Sequence, residues 1–173
     1  MRRKIALFFI ITICYLLHTT VFQYFSFAGI SPNLMVIVVS AFGFMRGRKE
    51  GMYVGFFSGL LMDIFSGAYL GPYALLYMYI GYINGKFRKR YYPDDIRLPM
   101  IMIGASDLVC NLLVYVFGFL LRSKFSFLYY LRAVILPELV YTMILTIVLY
   151  YILLRINQYL EEHEQRSATK FDL

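Results

Sequence analysis

The sequence predicts an all-α protein that crosses a lipid bilayer six times. Three observations lead there. Hydrophobic residues form 61% of the 173-residue chain and charged residues 16%, whereas a soluble domain is about half apolar and about a quarter charged. A soluble sphere of this size has too little interior to hide that much apolar surface. The basic residues, finally, stand in short clusters between long uncharged runs. That spacing separates the net charge of +7 from nucleic-acid binding, which gathers cations on one face. It matches the way cations mark the cytoplasmic ends of membrane spans.

Six apolar segments follow in order: residues 5–27, 30–45, 51–64, 68–85, 98–121 and 131–154. A helix needs ~20 residues to cross a hydrocarbon core of ~30 Å. The first, fifth and sixth segments reach that length, the fourth falls just short, and the second and third have 16 and 14 residues. A re-entrant hairpin of the second and third is the alternative. It would hold Arg46, Arg48 and Lys49 near the midplane, where each costs at least ~2.5–3.5 kcal/mol. Two short spans whose cations snorkel to the inner surface cost less.

With the N-terminus inside, 14 of the 17 Lys and Arg residues fall on the cytoplasmic side, leaving Arg122, Lys124 and Arg132 outside. Such a bias over short loops orients the chain with both termini in the cytoplasm. The first segment reads as a retained anchor, because its apolar run is longer than the ~7–15 residues of a signal peptide. Residues 1–156 are expected to form a single transmembrane domain, and residues 157–173 a polar, partly disordered cytoplasmic tail. Ser31 and Pro32 offer an N-cap and a first helical residue for the second span. Pro72 and Pro99 fall near the starts of the fourth and fifth, and Pro137 is expected to kink the sixth. Cys14 and Cys110 lie in apolar runs and read as small core residues.

Gly43, Gly47, Gly51, Gly55 and Gly59 recur every fourth residue, and Gly81 and Gly85 repeat the spacing. In lipid, small residues four apart let helix backbones approach closely. Gly55 and Gly59 share one face of the third segment, and two uses stay open for it: packing inside this bundle, or a groove for a partner's membrane helix.

Three acids fall in apolar segments. Asp63 lies 12 residues beyond Gly51, roughly 18 Å of rise, which puts it toward the outer interface just before Ser66 and Gly67, a turn signal. Its carboxylate is expected either to accept free backbone N–H groups of an outer turn or, with Ser66 and Gly67, to face a partner. Asp107 sits ~13 Å into the fifth segment and shares a helix face with Asn111. Glu138 follows Pro137, whose missing N–H leaves a carbonyl in need of a donor. Asp107, Asn111 and Glu138 form a candidate intramembrane polar cluster, either an interhelical clamp or the wall of a solute site. Arg132 is depth-matched to Asp63 and Glu138. No catalytic, cofactor or metal set emerges: His18 and His163 are the two histidines, and Ser58 does not sit in a G-x-S-x-G elbow. The chain reads as a non-enzyme.

The stretch "GFFSGLLMDIFSGAYLGPYALLYMYIGYINGKFRK" resembles the MreD family, the rod shape-determining membrane proteins of bacteria. The likeness rests on G-x-x-x-G-L-x-x-D-x-x-S-G-x-x-L-G, here Gly55, Gly59, Leu60, Asp63, Ser66, Gly67, Leu70 and Gly71. The basic N-terminus, "SPNLM" at the second span and the proline in the last span agree with it. The resemblance implies a non-catalytic membrane scaffold of the cell-elongation machinery in the bacterial cytoplasmic membrane. It implies a direct partner, MreC, with one membrane helix and an outer domain, and through it MreB, RodA and RodA's partner transpeptidase in peptidoglycan insertion. MreD proteins in turn resemble the substrate-binding membrane subunits of energy-coupling-factor transporters. The alternative function is therefore a small-solute-binding subunit of a vitamin-type transporter, with Asp107 and Asn111 at its cavity.

Overall fold

The computed structural model describes residues 2–21, 31–66, 70–90, 96–120 and 127–169, and every regular element among them is helical. Six helices have 13 residues or more: α1 (Arg2–Leu16), α2 (Leu34–Arg46), α3 (Arg48–Ser66), α4 (Pro72–Lys86), α5 (Arg97–Leu120) and α6 (Leu136–Thr169). Two stretches are long and apolar enough to cross a membrane: Arg97–Val116, with mean hydropathy 1.7, and Leu128–Glu161, with mean hydropathy 2.1. Ile5–Val21 and α2 are apolar but shorter.

Apolar side chains cover the outside of the bundle as well as filling its core, and several polar ones are buried. Ser40, Ser58, Asp63, Asn84, Asp107, Thr142 and Thr146 are buried, while Phe8 and Phe9 on α1, Phe57 and Phe65 on α3, Leu75 and Tyr79 on α4, Ile101 on α5 and Ile144 and Val148 on α6 are exposed. Large apolar side chains on the outside of five helices suit hydrocarbon as the surrounding solvent.

At the centre stands α2. Twelve of its residues, Leu34 through Met45, are buried, as expected of a helix that is apolar all round. It rises only about 20 Å, less than the bilayer core, and α1, α3, α4, α5 and α6 all pack on it. Its N-cap is Asn33, whose Oδ1 accepts the Val36 N–H at 3.3 Å. The sequence favours Ser31, two residues earlier. Asn33 takes the place because the same oxygen also accepts the Tyr77 hydroxyl at 3.2 Å, and its N–H donates to Thr142 Oγ1 at 3.2 Å.

A single residue, Gly47, separates α2 from α3, so Arg48, Lys49 and Glu50 form the first turn of α3 and not a loop. Gly47 has φ 96°, a conformation that favours glycine. Arg46 does not snorkel outward. Its side chain is 7% exposed and pairs with Glu161 at 3.8 Å, while its Nε donates to Asn157 Oδ1. Asn157 is thereby buried, and the expected disordered tail is helix as far as Thr169. Pro137 is the second residue of α6, which continues a helical stretch that begins before it. Just before it, Leu131–Ile135 forms a π-helical turn closed by the Leu136 N–H on the Leu131 carbonyl. This wide turn stands directly before the proline expected to kink the span.

Candidate functional site

The α3–α4 hairpin is built backbone against backbone. A Cβ on Gly51 would strike the Gly81 carbonyl, one on Gly55 the Tyr77 carbonyl, and one on Gly59 the Tyr73 carbonyl and Ala74; one on Gly85 would meet Arg48 and Gly47. Each four-residue step along α3 is met by a four-residue step back along α4, so the glycine spacing sets an antiparallel register. Gly43 of α2 joins the same seam, 2.9 Å from the Gly81 oxygen to its notional Cβ. The space beside Gly55 and Gly59 is thus filled by α4 of the same chain.

Asp63 closes the end of this hairpin. Helix α4 begins at Pro72, and the residue in its N-cap position, Gly71 with φ 119°, brings no side-chain cap. The N–H groups of a first turn still need acceptors. Asp63, reaching over from α3, supplies them: its Oδ2 accepts Gly71 N–H at 3.0 Å and Ala74 N–H at 2.9 Å, and its Oδ1 accepts Tyr73 N–H at 3.0 Å. Pro72 has no N–H to offer. The carboxylate is 2% exposed, and the positive end of the α4 dipole stabilises its charge. Ser66 closes α3, and Gly67 lies outside the described residues. No ion pair joins Arg132 to Asp63 or Glu138 among the described residues.

Two further polar knots tie the helices. Asn84 Nδ2 on α4 donates to Ser40 Oγ on α2 and to Ser106 Oγ on α5, both at 2.9 Å. Asn33 joins α4 and α6 through Tyr77 and Thr142. The sequence reading missed Asn33, Ser40, Asn84 and Thr142. Two of them carried a signal: Asn33 as a cap-forming residue in "SPNLM" and Asn84 as an uncharged amide in an apolar run between glycines.

Beside the capped end lies a cavity of about 480 Å³ whose wall includes His18, Asn33, Tyr73, Tyr77, Asn111 and Glu138. Tyr73 and Tyr77 meet edge to face there, with ring centroids 5.9 Å apart. The structure brings Asn111 and Glu138 together: the amide stands against the carboxyl, though its Nδ2, sealed from solvent, closes no hydrogen bond. Asp107 lies behind the wall and not on it. It is fully buried, near enough to Glu138 to feel its charge, and faces Thr142, yet neither of its oxygens closes a hydrogen bond. Ser58 Oγ and His18 Nδ1 likewise close none, so the two do not form a nucleophile–base pair.

The recurring motif positions therefore serve one local structure: Gly55 and Gly59 admit α4, Asp63 caps it, and Gly71 makes the turn. In comparisons with known proteins, the family model described as rod shape-determining protein MreD matches residues 1–160. No curated protein and no solved structure matches. A family match over nearly the whole chain, with apolar helices that suit a membrane, has one reading: the chain belongs to the MreD family of rod shape-determining membrane proteins.

Proposed function

We propose that this chain is a non-catalytic, multi-pass scaffold of the bacterial cell-elongation complex, with both termini in the cytoplasm. In this reading it supports peptidoglycan insertion by binding MreC, which connects it to MreB, RodA and RodA's partner transpeptidase. One observation carries the reading. Four polar side chains inside the bundle, Asp63, Asn84, Asn33 and Arg46, join helix to helix. The charge distribution supports the orientation: Arg48 and Lys49 start α3, Lys86 ends α4, and Arg88 reaches Gly47 at the same end of the bundle.

With Gly55 and Gly59 covered, a partner helix has only lipid-facing side chains to meet, such as Phe56 or Ile144. The test is depletion followed by microscopy, with affinity purification of the tagged chain from detergent-solubilised membranes. Rounded cells and co-purified MreC are expected. Cells that stay rod-shaped, with no MreC recovered, would overturn the proposal. A photo-crosslinker at Ile144 is expected to be accessible to a partner, and one at Gly59 is not.

A further inference from the structure

We infer that the cavity beside the α3–α4 turn is a binding site for a small organic ammonium ion that also carries an oxygen acceptor, as an amino alcohol does. This goes beyond the scaffold reading and does not depend on it. The first observation is size: about 480 Å³ lies in the range of small-molecule sites, ~300–1,000 Å³. The second is charge. Glu138 is on the wall and Asp107 just behind it, and no basic side chain pairs with either among the described residues. A carboxyl facing a void in an apolar bundle is stabilised by an entering cation. The third is aromatic lining. Tyr73, Tyr77, Tyr129 and Tyr130 all line the cavity, and the faces of such rings attract ammonium groups. The fourth is an unmet donor: Asn111 Nδ2 is buried on the wall without a hydrogen bond. An ammonium donating to Glu138 and an oxygen accepting from Asn111 complete both groups at once. A purely aliphatic amine leaves the amide unmet, and a neutral diol leaves the carboxyl unmet.

The same chemistry occurs free, as ethanolamine, and in a lipid headgroup, as phosphatidylethanolamine. The experiment separates them. Radiolabelled ethanolamine is titrated by equilibrium dialysis against the full chain in phosphatidylglycerol nanodiscs, with and without added phosphatidylethanolamine. Saturable binding is expected in the phosphatidylethanolamine-free discs, competed by unlabelled ethanolamine and not by ethylene glycol. Binding that persists when the lipid is added assigns the site to the free amine; binding abolished by the lipid assigns it to the headgroup. Glu138→Gln is expected to weaken binding roughly tenfold or more, as loss of a charge-assisted contact does. Tyr73→Leu is expected to weaken it several-fold and Tyr73→Phe to leave it near wild type, as a ring-face interaction requires. Unfolding midpoints of the ligand-free variants serve as the folding control. No saturable binding in phosphatidylethanolamine-free discs, equal competition by ethylene glycol, or unchanged affinity in a folded Glu138→Gln variant would overturn the inference.

Discussion

Asp63 and Asp107 are both aspartates, both buried, and both embedded in apolar helices, yet their surroundings differ completely. Asp63 accepts three backbone N–H groups at 2.9–3.0 Å. Asp107 closes no hydrogen bond through either oxygen. The first stands at the end of a hairpin packed so tightly that no Cβ fits at Gly51, Gly55 or Gly59. The second lies behind a cavity. The comparison teaches that an acid in a membrane helix is not one kind of signal. Its meaning depends on whether the fold delivers donors to it.

Substitution at the two aspartates is the sharpest way to break that contrast. Asp63→Ala leaves three N–H groups without acceptors, one buried and two part-buried. At ~1–3 kcal/mol for the buried group and less for each of the others, the expected loss is about 2–4 kcal/mol, a large share of a marginal stability. Asp63→Asn keeps one acceptor oxygen and is expected to fall in between. Unfolding midpoints in a single detergent check the order. A midpoint for Asp63→Ala equal to wild type would end the capping argument.

Next in size are the seam glycines. Gly55→Ala gains ~1 kcal/mol of helix propensity, but its methyl meets a carbonyl that belongs to a neighbouring backbone and cannot rotate away. Overpacking of this kind typically costs ~1–3 kcal/mol, so the net expectation is destabilisation of up to about 2 kcal/mol. Gly71→Ala has open space around it and is opposed only by its φ of 119°, costing on the order of 1 kcal/mol. Thermal unfolding of the two variants side by side distinguishes crowding from backbone strain.

Arg46→Ala removes the link from α2 to Asn157 and Glu161. Glu161 is 43% exposed, so water screens the ion pair and the hydrogen bond to Asn157 dominates. About 1 kcal/mol is expected, read as increased proteolysis of residues 157–169. Smallest of all is Asp107→Asn. It keeps the volume and alters a carboxyl that no hydrogen bond holds, so a change within about 1 kcal/mol of zero, of either sign, is expected.

Much of the fold was legible because lipid imposes a simple code. Segment number, α5, and the capping chemistry around Asp63 followed from run length, turn residues and a lone acid. The rest was hidden for a physical reason. In hydrocarbon, a helix facing lipid and a helix facing protein both read as apolar, so nothing in "LMVIVVSAFGFM" distinguished the buried centre, α2, from a peripheral span. The glycine repeat gave a face but not its partner, since spacing encodes periodicity along one helix only. Arg46 read as a snorkelling cation because its acceptor, Asn157, lies 111 residues away. Asn33 and Ser31 are equally good caps by type; the choice fell to Tyr77 and Thr142, which local sequence does not contain. Of the candidate cluster, Asn111 and Glu138 meet on one wall while Asp107, one turn from Asn111, points behind it. Helical spacing alone put Asp107 and Asn111 on one face.

Amide hydrogen exchange at Tyr73 and Ala74 tests the central claim most directly. In the wild-type chain both N–H groups are held by Asp63, so both are expected to exchange slowly. In Asp63→Ala they are expected to exchange at least tenfold faster, roughly what a loss of 1.4 kcal/mol in protection allows, while Asp107→Asn leaves them unchanged. Protection at Tyr73 and Ala74 that survives Asp63→Ala, or falls equally in Asp107→Asn, would contradict the assignment of Asp63 as the cap that fixes the α3–α4 hairpin.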